Sequence, residues 1–193
     1  ASQASRWHWS QSSGEHQKVE IFADSFRQST RTHLFDLEGV ELRLFNKNGN
    51  RYDQVISRAA QFDSKTEKLY SESEVTLILG IDLESAKVAT KPAIRIHSSG
   101  VTLEAKTGIC TTDRPTVYEF EGGSGHSVGA FYDSVNRHFR MDGQVYLRRE
   151  PPAPGFPLVE VHARELHYYE LDQRVDLIGD VKLKKGRREA RAE

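Results

Sequence analysis

Residues 130–147 read AFYDSVNRHFRMDGQVYL, and this stretch contains one complete β-unit. The aromatic Tyr132 is followed by Asp133 and a short polar turn, then Phe139 and Met141, then Gly143, then Val145 and Leu147 on one face. The same outline starts at Phe62, with Asp63 next, Leu69 seven residues on, Val75 thirteen on and Leu77 fifteen on. Tyr168 repeats these offsets with Val175, Val181 and Leu183. A looser copy begins at Phe26, where Leu34, Val40 and Leu42 each come one residue late and Gly39 precedes the valine. The valines at 40, 75, 145 and 181 are 35, 70 and 36 residues apart, so one period recurs with a degenerate copy in the middle. A period of this size marks stacked supersecondary units, here a series of similar hairpins.

The 193 residues suit one domain or one elongated stack, which we place over residues 7–183. Twenty-seven basic against twenty-eight acidic side chains leave a net charge of -1, which argues against a dedicated nucleic-acid binder. Cys110 is the single cysteine, so the chain forms no internal disulfide and no thiolate metal cluster. No run of eighteen apolar residues occurs, and the opening ASQASRWHWS is neither a signal peptide nor a membrane span. The first residue is not Met, so a trimmed chain is expected, from which an anchor has been cut.

Alternation predicts most of the strands. Val19, Ile21 and Ala23 lie on one face against Lys18 and Glu20, and Val40, Leu42 and Leu44 stand against Glu41 and Arg43. Asn48-Gly49 offers the positive φ values of a tight hairpin turn. Val75, Leu77 and Leu79 form the next strand, stopped by Gly80; residues 81–91 read as a loop or short strand, and Pro92 as an edge. Ile94 and Ile96, then Val101, Leu103 and Ala105, predict a hairpin across Ser98-Ser99-Gly100. Thr116 to Phe120 is a strand candidate, with the glycine-rich turn EGGSG at 121–125 behind it. The prolines between 151 and 157 read as a stiff insert before the last repeat, where Val159, Val161 and Ala163 resume alternation. Residues 184–193, KKGRREARAE, read as a basic tail, solvated or weakly helical. Trp7 and Trp9 share one side of an extended segment, where they either close the end of the core or form an edge strand used by a partner.

The residues of chemistry are scattered. The eight histidines show neither HxH nor HExxH spacing, so no metal is expected. The run GGSGH at 122–126 completes neither a phosphate cradle nor a nucleophile elbow. Asp63 and Asp133 occupy equivalent turn positions, where Asp bonds its own backbone, rather than forming a glycosidase pair. What remains is apolar surface on many alternating strands with no helix to cover it, so two sheets must face each other or one must wrap on itself. Splayed sheets would leave an apolar slot able to take acyl chains.

At this point HSVGAFYDSVNRHFRMDGQVYL (126–147) and FDSKTEKLYSESEVTL (62–77) resemble the repeat of the OstA-like lipopolysaccharide-transport family, which includes LptA, LptC and the N-terminal domain of LptD. The order RWHW, VEIFADSF, GVELRL is most similar to LptC-like members. The resemblance implies an all-β, twisted β-jelly roll with an apolar groove between two sheets, no enzymatic activity and no cofactor. It implies a periplasmic protein held at the inner membrane by an N-terminal helix, which this chain lacks. Such a protein receives lipopolysaccharide from an ABC transporter and passes it to an LptA-like partner by end-to-end strand pairing. The proline-rich insert departs from the family pattern.

Candidates to line the groove are Val19, Ile21, Phe26, Leu42, Leu44, Phe62, Val75 and Leu77 in the first half of the chain, and Ile94, Ile96, Val101, Leu103, Phe131, Phe139, Val145 and Leu147 in the second. The expected partner-binding edges are Trp7 with Trp9 and Val181 with Leu183. Two other readings compete. One is a carbohydrate-binding or carbohydrate-processing β-solenoid using Tyr168 and Tyr169 with Glu165 or Glu170. The other is a purely structural strand-pairing module with a packed interior.

Overall fold

The structure, a computed structural model, describes residues 3–13, 17–31, 33–83 and 94–193. The described residues form strands and turns, without a helix. Six strands are long: β1 (Gln3–Ser13), β2 (Gln17–Gln28), β3 (Leu34–Phe45), β4 (Arg51–Asp63), β9 (Ile109–Phe120) and β10 (Gly123–Asp133). Between and after them lie short strands: β5 (Lys68–Ser71), β6 (Val75–Asp82), β7 (Ile94–Ser98), β8 (Val101–Glu104), β11 (His138–Met141) and β12 (Val145–Arg149). The C-terminal part adds β13 (Val159–Ala163), β14 (Glu165–Tyr169), β15 (Arg174–Ile178), β16 (Val181–Lys185) and β17 (Arg188–Ala192).

Each long strand bends, so its two halves belong to two different layers. The C-terminal half of β4 pairs with β5, while its N-terminal half pairs with β6. The first layer runs β1–β2–β3–β4–β5–β8–β9–β10–β11–β14–β15, every neighbour antiparallel. The second uses the other halves and runs β1–β2–β3–β4–β6–β7–β9–β10–β12–β13–β16–β17. The layers face each other across one apolar core. Trp9 of the second meets Phe62 of the first at 5.0 Å between ring centroids, and Tyr118 meets Phe139 edge-on at 5.3 Å.

The repeat seen in the sequence is the crossing between layers. Phe62 and Tyr132 end a long strand, a four-residue turn follows, Leu69 and Phe139 open the short strand, and Val75 and Val145 begin the strand beyond the corner. Asp63 Oδ1 accepts from the amides of Lys65 and Thr66, and Asp133 Oδ1 from those of Val135 and Asn136, so both aspartates are turn formers. The fourth turn residue is left-handed each time: Glu67 at φ 57°, Gly108 at 70°, Arg137 at 52° and Gln173 at 49°. The middle copy that the period left blank therefore starts at Leu103 and continues to Cys110, with Glu104 in place of the aspartate. The turns are laced together along the rim of the first layer: Ser64 N–H donates to His33 O, Ala105 to Glu67 O, Ser134 to Gly108 O and Glu170 to Arg137 O. Loops of the second layer are laced likewise, Leu83 to Asn50 O, Glu150 to Gly122 O and Gly186 to Leu158 O.

Several expectations are corrected. Strands β7 and β8 do not pair with each other; the Ser99-Gly100 step is a corner that carries the chain from one layer to the other, with Gly100 at φ 58°. At 46–50 only Gly49 is left-handed, because Asn46 closes a longer loop by accepting the amide of Arg51 on its side-chain oxygen. The glycine-rich turn is shorter than expected, since β10 starts at Gly123. Residues 188–192, read as solvated or weakly helical, are exposed and extended, forming strand β17 hydrogen-bonded to β16. Residues 81–82 belong to β6, and the rest of the 81–91 reading, with Pro92, lies largely outside the described residues. The proline-rich insert is the loop between β12 and β13, which pair directly.

Candidate functional site between the layers and at their rim

The two layers enclose an apolar seam. Val19, Ile21, Leu42, Leu44, Phe62, Val75, Leu77, Ile96, Leu103, Phe139 and Val145 are all buried in it. Leu37, Val55, Leu69, Tyr118, Tyr132, Met141 and Leu166, which were not among the candidates, are buried there too. Phe26, Ile94, Val101 and Leu147 pack against this core from its margins. Phe131 does not belong with them. Successive strand residues face opposite ways, so with Tyr132 inside, Phe131 lies on the outer face under the Arg140 guanidinium, 5.1 Å from the ring centroid.

The middle of the seam is filled. The void among Val75, Leu77, Ile96, Val101, Cys110 and Phe139 measures about 40 Å³, against roughly 300–1,000 Å³ for ligand pockets. The seam opens instead at the rim, where a cleft of about 810 Å³ lies between the loop at 46–47 and the turns at 105–107, 133–137 and 170–171. Its floor is apolar, from Val19, Leu44, Tyr52, Ala105 and Ile109. Burial also thins towards the C-terminal end, where Val175 and Leu183 continue the core-facing rows yet are 53% and 37% exposed.

Across the rim cleft stands a polar cluster that the sequence reading missed. Asp53 points inward between Leu44 and Val55 and is 1% exposed. Its Oδ2 accepts from Arg137 Nη1 at 2.7 Å and from the Tyr132 hydroxyl at 2.6 Å, and its Oδ1 accepts from Gly80 N–H at 2.8 Å. Arg137 also donates to Glu170 through Nη2 at 2.6 Å and Nε at 3.0 Å, and Arg51 Nη2 donates to the other oxygen of Glu170 at 3.0 Å. Asp53 and Arg51 stand on β4 in the second layer, whereas Tyr132, Arg137 and Glu170 belong to the first, so the cluster ties rim to rim. Burial, then the Asp53 carboxylate, push the Tyr132 hydroxyl well above its usual pKa. Burial works against the Arg137 charge, but the Tyr132 hydroxyl and the carboxylates of Asp53 and Glu170 outweigh it and raise its pKa. One signal was in the sequence: Asp53 is the charged residue in the inward row of β4, which otherwise carries Val55, Ser57 and Phe62.

The other candidates separate. Tyr168 packs inward against the core, while Tyr169 lies outside, stacked on His138 at 4.5 Å and under Arg174 at 4.3 Å. Glu165 reaches His167 and Glu170 reaches Arg137, so the four do not share a cleft. Among the described residues, no group of His, Cys, Asp and Glu is placed to hold a metal ion. The edges differ from expectation at one end. Among the described residues, strand β1, with Trp7 and Trp9, pairs with β2 alone, and both rings pack on Phe62. Val181 and Leu183 are not at an edge, because β16 is flanked by β13 and β17; the outer strands there are β15 in the first layer and β17 in the second.

The sequence model of the lipopolysaccharide-assembly, LptC-related family matches residues 10–150. The chain belongs to this family. The LptC-related match covers most of the two-layer stack and ends at the proline-rich loop, which opens the C-terminal strands β13 to β17. No curated protein sequence matches the chain. Among solved structures it is similar to LptH of Pseudomonas aeruginosa, described as the LptA homologous periplasmic component of the conserved lipopolysaccharide transport device. The identity is 14%, the match covers 73% of this chain and 94% of that one, and the TM-score is 0.48.

Proposed function

We infer that this LptC-related protein is a non-catalytic, periplasmic bridge component that holds the acyl chains of lipopolysaccharide between its layers. It accepts the lipid from an inner-membrane ABC transporter and relays it to an LptA-like partner through edge-strand pairing. The observation that carries this reading is the apolar seam, running from Trp7 and Trp9 of β1 to Leu177 of β15 and Val181 of β16, with strands at each end that pair on one side only among the described residues. Each buried methylene is worth about 0.8 kcal/mol, so several acyl chains leave an apolar seam for water very slowly. They move readily into a second seam abutting the first, and antiparallel augmentation at an edge is the interaction that would align the two. An N-terminal membrane helix would hold the protein beside the transporter.

Photo-crosslinking amino acids at Leu147, Val161 and Val175, where the seam opens, should capture lipopolysaccharide in a folded protein. Uniform failure would leave the second reading, a strand-pairing module whose interior never opens, which the filled middle of the seam favours.

A further inference from the structure

We propose that the Asp53–Arg137–Glu170–Arg51 cluster is a gate on the side of the seam, a lock between the rims that must release before an acylated amphiphile can pass between the layers. The inference rests on the lipid-carrying reading above and names how that site is controlled.

Three observations lead to it. The seam has no space for a hydrocarbon chain in its middle, so a chain is admitted only if the layers part. The layers share the long strands, which are covalently continuous at their bends, so parting can only widen the opposite side, where the rims meet. On that side the rims are tied by Arg137 to Asp53 at 2.7 Å and by Arg51 to Glu170 at 3.0 Å, at the cleft whose floor is the apolar seam.

The chemistry of the tie suits a lock rather than a weld. An apolar pair at Asp53 and Arg137 would seal the rims as well or better, since a buried ion pair gains little over a hydrophobic replacement of similar size. What an ion pair adds is a low-cost open state: when water reaches the cleft both charges are solvated again, and an anionic head group can take over the arginine. Arg137 holds a left-handed backbone, with φ at 52°, in a turn position where a glycine, Gly108, serves the neighbouring repeat. The geometry aims its guanidinium at Asp53 across the rims and at Glu170 on its own side, so its movement releases one tie and loosens the carboxylate that holds the other, Arg51.

The test follows loading of fluorescently labelled lipopolysaccharide into the purified protein by stopped-flow, alongside the amount bound at equilibrium. Asp53→Asn should speed loading by about tenfold, and the double replacement Asp53→Leu with Arg137→Leu should slow it by at least as much. A separate tether guards against misfolding of those variants: Lys47→Cys with Asn136→Cys, two cleft residues outside the lock, bridged by a reducible bifunctional thiol reagent. The native Cys110 is buried and stays unlabelled. The bridged protein should load slowly and recover its rate on reduction. Equal loading rates for bridged and reduced protein would overturn the gate while leaving the carrier reading intact. Wild-type protein that binds no lipopolysaccharide at equilibrium would overturn the carrier reading itself.

Discussion

Ser57 and Ser127 hold the same place in two repeats, five residues before Phe62 and Tyr132, and each uses its hydroxyl to catch a carbonyl two residues on: Ala59 O at 2.9 Å and Gly129 O at 2.8 Å. Thr116 does the same in the reverse direction for Arg114 O at 3.1 Å. These are the carbonyls released where the long strands bend, and a buried carbonyl left unpaired would cost about 1–3 kcal/mol.

The two serines should therefore respond differently to replacement. Ser127→Ala removes the hydroxyl bonded to Gly129 O and takes one partner from the buried Tyr118 hydroxyl, which is 2.7 Å away. A loss of about 1–3 kcal/mol in urea unfolding is expected. Ser57→Ala should cost less, because Ser71 and Ser73 also donate to Ala59 O. Equal losses would contradict this account of the bends.

Gly39→Ala tests the kink in β3. Gly39 has φ of 62°, and an added Cβ would lie 2.0 Å from Asp24 Oδ2. The carboxylate can swing aside but Asp24 Cβ, 2.9 Å from the added methyl, cannot, and the left-handed backbone adds about 1–2 kcal/mol of strain. Each kcal/mol lowers Tm by about 2–4 °C in a chain of this size. An unchanged melting temperature would show that the kink relaxes freely.

The outer face of the first layer carries an acid-sensitive histidine. His138 Nε2 lies 3.1 Å from His167 Nδ1, and burial, then the neighbouring His167 and Arg140, lower the His138 pKa from 6.5. Well above pH 6.5 neither the folded nor the unfolded state binds this proton, so His138 adds no pH dependence there. Below it the unfolded chain binds the proton first, and stability falls as pH drops until the folded value is passed. Urea midpoints between pH 7.5 and 5 should fall for the wild type and fall less for His138→Gln; parallel curves would exclude His138 as the cause.

Strand β17 protects an edge without building the core, since all five of its residues are exposed. A chain ending after Lys185 should keep its cooperative melt and near-native Tm, while uncovering the β16 edge, which should alter pairing with an LptA-like protein in a pull-down. Loss of cooperative unfolding would mean that β17 supports the stack.

Much was legible along the chain because strand alternation and turn chemistry are local. Val19, Ile21 and Ala23 announce an inward face, and Asp63 and Asp133 announce turns, whatever surrounds them. The offsets from Phe62 and Tyr132 likewise carry the repeat, since each copy must cross the same bend. Other features depend on partners far away in sequence. Gly100 is a corner and not a hairpin because β7 and β8 find better neighbours in different layers, β6 with β9 and β5 with β9. Phe131 and Tyr132 are indistinguishable by hydrophobicity, and only the register against Thr111 and Cys110 decides which ring is inside. The rim cluster joins Asp53 to an arginine 84 residues on, and no local pattern announces such a pair. Composition and periodicity determined an all-β repeat with apolar faces, because those follow from neighbours along the chain. Which faces meet, which edges stay free and where charge crosses the seam were decided by the fold, because these depend on how separate strands are brought side by side.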